Sequence, residues 1–155
     1  MAPADLLGPL EGQRAETLRV VDTLVDEDLD AEVAGDGRTV RQLLCHLVNR
    51  HHGVNFAIAA AIEGEVLHLS PEGRADFSEA EHEPAPAWNV ARIRDELEET
   101  RDELRRTFER MTEEDLDRPI RWPEWAARTV RSSIPYMLEH EDSHLDDLKA
   151  ALQRV

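Results

Sequence analysis

Apolar residues recur at three- and four-residue spacing in four stretches of this chain, the pattern of helices that each bury one face. The first runs from about Asp5 to Val25, with Leu6, Leu10, Thr17, Val21 and Leu24 on one side. Gly8-Pro9 blurs its start, because proline belongs in a helix's first turn. The second, Thr39 to about Glu63, aligns Val40, Leu43, Leu44, Leu47, Val48, Val54, Ile58 and Ile62, and Gly64 supplies a C-terminal stop. The third, Trp88 to about Thr112, sets Val90, Ile93, Leu97, Leu104, Phe108 and Met111 against a charged opposite face. The fourth, about Thr129 to Leu152, carries Val130, Ile134, Met137, Leu138, Leu145, Leu148 and Leu152. Strand-like alternation of useful length is absent.

Four amphipathic helices and no sheet predict an all-α four-helix bundle, one domain over residues 1–155. Residues 26–38 join helices 1 and 2, and residues 113–128 join helices 3 and 4, lengths that suit neighbouring antiparallel pairs. Between helices 2 and 3, Gly64 to Ala87 holds Pro71, Pro84 and Pro86 and no sustained helical pattern. A crossover accounts for that length. Helix 2 is roughly 37 Å long at ~1.5 Å per residue, and a connection returning along it lets helices 2 and 3 run parallel. The expected order is up-down-down-up.

Charge narrows the partners. With 18 Lys+Arg against 34 Asp+Glu, the net charge is −16, a field that repels nucleic-acid phosphates and anionic membrane surfaces. The longest apolar run, Phe56 to Ile62, falls far short of the ~18–20 residues that span a bilayer. The N-terminus has no basic region followed by an apolar stretch, so no secretory signal is expected. The single cysteine, Cys45, reads as a small buried residue and suits a reducing, cytoplasmic setting.

The chemistry of the chain lies in its histidines, at 46, 51, 52, 68, 82, 140 and 144. His140 and His144 stand four apart on helix 4, a spacing that puts both imidazoles on one face within reach of a single metal ion at ~2.0–2.1 Å. His46 lies roughly 10 Å into helix 2, and His144 roughly 12 Å before the end of helix 4. Those depths coincide if helices 2 and 4 are antiparallel, as the expected order makes them. All three histidines sit on the flanks of their apolar stripes, where a site needs access. His51 competes as a ligand from the centre of helix 2's apolar face, where it reads equally as a satisfied core histidine. His52, His68 and His82 read as solvated or loop residues.

His140-Glu-Asp-Ser-His144 matches the short zinc-protease motif His-Glu-x-x-His, in which the glutamate is general base. The longer form would need glycine at 147 and histidine at 150, where this chain has Asp147 and Ala150. No strand is expected that could align an extended peptide, so peptide hydrolysis is disfavoured. Glu141 lies near the centre of helix 4's apolar stripe, where an unpaired carboxylate is costly. It is a candidate general base or support for a metal ligand; the competing reading is a polar partner across the bundle, such as His51 or an arginine. Trp122, Trp125 and Tyr136 read as a structural anchor before and within early helix 4.

Gly37-Arg-Thr-Val-Arg-Gln-Leu-Leu-Cys-His46-Leu resembles the helix 2 motif of the DinB/YfiT-like superfamily, and Leu138-Glu-His140-Glu-Asp-Ser-His144-Leu145 resembles its helix 4 motif. Asp26-Glu-Asp-Leu-Asp30 is similar to the family's connection after helix 1, so the likeness covers nearly the whole chain. The resemblance implies a four-helix bundle holding a divalent metal, zinc or nickel, through His46, His140 and His144. It also implies a homodimer, and for some relatives transferase or isomerase activity with a low-molecular-weight thiol such as mycothiol or bacillithiol. Asn49-Arg-His51-His52 departs from the acidic residues common in relatives, which bears on the substrate side of the pocket.

Three neutral nitrogen ligands leave a divalent charge uncompensated and a coordination position open, where a water or thiol becomes a nucleophile near neutral pH. The expected function is a metal-dependent thiol transferase, isomerase or hydrolase acting on a small molecule. The alternative is a non-catalytic metal-binding or interaction module.

Overall fold

The computed structural model describes residues 2–64, 87–120 and 128–153. The expected crossover, with His68 and His82, lies outside the described residues apart from its ends, as do Trp122 and Trp125. Four long helices make the body: α1 (Pro3–Val21), α2 (Val40–Ile62), α3 (Val90–Arg110) and α4 (Val130–Leu152). Short 3-10 turns at Asp26–Asp30 and Glu114–Asp117 occupy the connections, and β1 (Pro119–Ile120) pairs antiparallel with β2 (Arg128–Thr129).

Three of the four long helices begin where a side chain meets the free N–H groups of the first turn. Thr39 Oγ1 accepts from the Gln42 N–H at 3.2 Å while Gln42 Oε1 accepts from the Thr39 N–H at 2.8 Å, a reciprocal box. Thr129 and Ser132 repeat this at α4, and Asn89 caps α3. Gly64, at φ +75°, ends α2 in the left-handed conformation that glycine adopts without strain. The first helix starts close to the expected Asp5 but ends at Val21, short of the expected Val25. Helix α1 begins at Pro3 and accommodates Pro9 in its interior, which settles the start that Gly8-Pro9 blurred.

Side-chain pairs between helices establish direction. Arg14 reaches Thr100, Arg105 reaches Glu11, and Arg94 reaches Asp22, so α1 and α3 are antiparallel. Arg41 meets Trp88 and Asn55 meets Glu103, so α2 and α3 are parallel. His46 meets His144 while His51 meets Glu141, making α2 and α4 antiparallel. Up-down-down-up follows.

The neighbour relations differ from the expected ones. Going round the bundle, α1 packs on α3, α3 on α2, α2 on α4 and α4 on α1, which leaves α1 diagonal to α2 and α3 diagonal to α4. The expected antiparallel pairs are therefore diagonal pairs. The first connection can cross the bundle end because it has its own packing: Leu29 and Val33 are buried, and Val33 N–H donates to Arg38 O at 2.8 Å. The second is tied in the same way by buried Leu116 and Ile120.

Two apolar clusters fill the interior. One gathers Leu18, Val21, Leu44, Leu47, Leu97, Leu145 and Leu148; the other gathers Leu10, Val54, Ile58, Leu104, Phe108, Ile134 and Met137. Between them on all four helices lies a buried polar level: Arg14 and Thr17, His51, Thr100, and Glu141. No described helix is long and apolar enough to cross a membrane.

Candidate metal centre

His46 projects from α2, and His140 and His144 project from successive turns of α4. Antiparallel packing brings the three together, with ring centroids 5.8 Å apart for His46 and His140, 4.9 Å for His46 and His144, and 4.5 Å for His140 and His144. One ring nitrogen from each lies within 4.8 Å of the others, a spacing that one ion bonded to all three at ~2.0–2.1 Å can close. His46 is buried, and His140 and His144 are half-buried. Tyr136 stacks on His140 at 6.3 Å, and the Arg128 guanidinium lies 5.1 Å from the centre of the Tyr136 ring.

The donor set suits a divalent cation. Burial, then the positive charge of Arg38 and the neighbouring imidazoles, pushes His46 down to about 3. Burial and Arg50 push His140 down to about 4, and His144 is lowered by burial and Arg38. All three are neutral at physiological pH, the state a metal requires. His144 Nδ1 is moreover buried with no hydrogen-bond partner among the described residues. A bound cation would satisfy it.

Glu141 and His51 belong to the polar level deeper in the bundle. His51 Nε2 lies 2.9 Å from Glu141 Oε2, and the Thr17 hydroxyl donates to Glu141 Oε1 at 2.9 Å. Burial alone would raise the Glu141 carboxyl, but His51, Arg14 and Thr17 together hold it below its usual range. Burial lowers His51 despite Glu141. Nε2 of the largely neutral His51 faces the carboxylate as its close polar neighbour. The Thr100 hydroxyl, 3.2 Å from His51 Nδ1 and 2.8 Å from Leu97 O, shares its one proton between them. Arg14 completes the level, donating to Thr100 O at 2.7 Å and to Asn55 Oδ1 at 3.2 Å.

The structure thus brings together His46, His140 and His144, and places Glu141 with His51 rather than with the triad. The general-base arrangement of a His-Glu-x-x-His protease needs a carboxylate turned toward the metal position; here both carboxylate oxygens are engaged in the core. His52 is a surface residue between Glu96 and Glu103. Cys45 is buried and its thiol is pushed up to about 11, first by desolvation, which makes it inert. Sequence reasoning missed Arg38 and Arg50 as neighbours of the triad. Arg50 stands four residues after His46, a spacing that carries the signal.

A four-helix bundle with three convergent imidazoles on two antiparallel helices defines a class of metal-site scaffold. Within it the chain belongs to the DinB superfamily, which matches residues 10–148. A Bacillus pumilus protein named "Putative metal-dependent hydrolase" is 29% identical over 99 residues, covering 54% of this chain and 57% of that protein. The chain thus spans little more than half the length of that relative. YuaE of Bacillus subtilis is 25% identical over 152 residues, covering 92% of this chain and 94% of YuaE. Among solved structures, YfiT from Bacillus subtilis, described as a probable metal-dependent hydrolase with an unusual four-helix bundle topology, matches with a TM-score of 0.75 at 18% identity. That match covers 98% of this chain and 86% of YfiT. The mycothiol-dependent maleylpyruvate isomerase matches with a TM-score of 0.77 at 14% identity, over 96% of this chain and 61% of that one. At such identities these two structures speak for the fold.

Proposed function

We propose that this protein binds a divalent metal, zinc or nickel, through His46, His140 and His144 and acts as a metal-dependent enzyme on a small molecule, by hydrolysis or by transfer or isomerisation with a low-molecular-weight thiol. The observation that carries the reading is the convergence of three neutral imidazoles from two helices, with one ring nitrogen of each within 4.8 Å of the others. A metal there supplies Lewis acidity and lowers the pKa of a water or thiol at its open position. The chain's own contribution is geometric. The triad is set on two rigid helices, and the Thr17–Glu141–His51 bonds fix the rotation of α4 beside it. Burial around His46 keeps the nitrogens unprotonated and limits water. A homodimer in a reducing cytoplasm accompanies this reading.

Elemental analysis of the purified protein tests it. About one equivalent of zinc or nickel is expected, absent in His46→Ala, His140→Ala and His144→Ala variants. Unchanged metal content in all three would overturn the triad. Conjugation of small electrophiles with thiols, and hydrolysis of small esters and amides, then distinguish transferase from hydrolase. Metal bound at one equivalent with turnover in neither assay would favour a non-catalytic metal-binding or interaction module.

A further inference from the structure

Helix α4 carries three rings along one face, Tyr136, His140 and His144, each four residues after the last. His140 therefore stands between two of them. His144 meets it edge-on, centroids 4.5 Å apart and planes at 81°, while Tyr136 lies more nearly parallel to it, centroids 6.3 Å apart and planes at 27°. Both separations fall within the ~4.5–7 Å over which aromatic pairs attract, in the edge-to-face and offset-stacked arrangements they prefer. Tyr136 is held in turn. It packs against the apolar cluster of Leu10, Ile134 and Met137, and the Arg128 guanidinium lies 5.1 Å from its ring centre, within cation–π reach. Arg128 has its own anchor, since it pairs with the buried Ile120 in the β1–β2 ladder.

A metal bond needs more than proximity, because the ligand nitrogen must aim at the ion within about 10–20°. The torsion that turns an imidazole about its Cβ–Cγ bond is broad and roughly two-fold, so the side chain does not fix that aim by itself. Neighbouring groups must fix it. We infer that Tyr136 is a positioning residue for the metal centre, its ring setting the rotation of the His140 imidazole toward His46 and His144. This deepens the proposed function and rests on the metal reading given there. The role uses the plane of the ring and not the phenol hydroxyl. Through Arg128, the connection between α3 and α4 is thereby tied to the metal centre.

The experiment titrates the metal-free full chain with Co²⁺, whose visible absorption reports ligand geometry, and measures affinity by competition with a chelating dye. Tyr136→Leu, which stays apolar but offers no plane, is expected to weaken Co²⁺ binding about tenfold and to alter the spectrum of the bound ion. Tyr136→Phe is expected to stay within about twofold of the parent and to keep the parent spectrum. Should Tyr136→Leu fail to fold by circular dichroism, Tyr136→Met, flexible and apolar, carries the test. Affinity and spectrum unchanged in the folded variant, or an equal loss in Tyr136→Phe, would overturn this inference alone, since the parent still binds cobalt. A weaker site that keeps the parent spectrum, with a lower urea midpoint for the metal-free variant, would overturn it as well, because that is a loss of stability and not of aim. A parent that takes up no cobalt would overturn the metal reading and this inference with it.

Discussion

His51 of α2 and Glu141 of α4 meet in the polar level of the bundle, Nε2 to Oε2 at 2.9 Å, with side chains 4% and 9% exposed. Together with Thr17 on α1 and Thr100 on α3, they join all four helices through buried polar side-chain contacts. Apolar packing lies on either side of this level.

Removing one member therefore leaves buried polar groups unpaired. Glu141→Ala strands His51 and the buried Arg14, and is expected to cost about 3–5 kcal/mol of stability. Glu141→Gln keeps the shape and some hydrogen bonds and should cost about 1–3 kcal/mol. Urea denaturation measures both, and an alanine variant as stable as the parent would show that the level contributes nothing.

Acid sensitivity follows from the buried imidazoles. Unfolded, each titrates near ~6.5. Folded, His46 titrates at about 3 and His140 at about 4, with His51 and His144 also lowered. Between those limits the unfolded chain binds more protons, so stability rises with pH there and falls as pH drops from about 6.5 toward 4. The urea midpoint of metal-free protein should be lower at pH 5 than at pH 7.5, with a shallower dependence in His46→Ala. A flat profile in the parent would contradict the burial of these rings.

Metal should stabilise the fold by mass action. At a free zinc or nickel concentration of 100 times Kd, binding to the native state alone contributes about 2.7 kcal/mol. Thermal unfolding followed with and without metal should show a rise in Tm for the parent and none for His144→Ala. Equal rises in both would place the ion elsewhere.

Leu104 is fully buried in the apolar cluster with Leu10 and Phe108. Leu104→Ala opens a cavity there and is expected to cost about 2–5 kcal/mol. Because the polar level separates Leu104 from the leucines around the triad, metal stoichiometry should stay unchanged. Loss of metal by this variant in its folded state would reveal coupling between the two clusters.

Much of this architecture was legible before the tertiary structure. The four helical spans were readable because each apolar stripe repeats over several turns, and Thr39, Asn89 and Thr129 mark three starts. The pair His140 and His144 was readable because their four-residue spacing is a local property, and helix rise gave only the depth at which His46 lies. The diagonal relation of α1 to α2 was not legible, since connection length bounds which ends can meet without choosing among neighbours. Gln13, Arg14 and Thr17 hid the polar level, because polar residues on an amphipathic helix ordinarily mark its wet side, yet here they are buried. The company of Glu141 was equally hidden, since its partners come from other helices.

Periodicity, capping and histidine spacing by themselves determined four helices, their approximate ends and a pair of imidazoles on one face, all of which depend on residues a few positions apart. Tertiary structure decided the order of helices round the bundle, the joining of His46 to that pair, the engagement of Glu141 with His51 and Thr17, and the arginines about the centre. Those are contacts between segments distant in sequence. Their formation depends on how whole helix faces fit together, which no local pattern specifies.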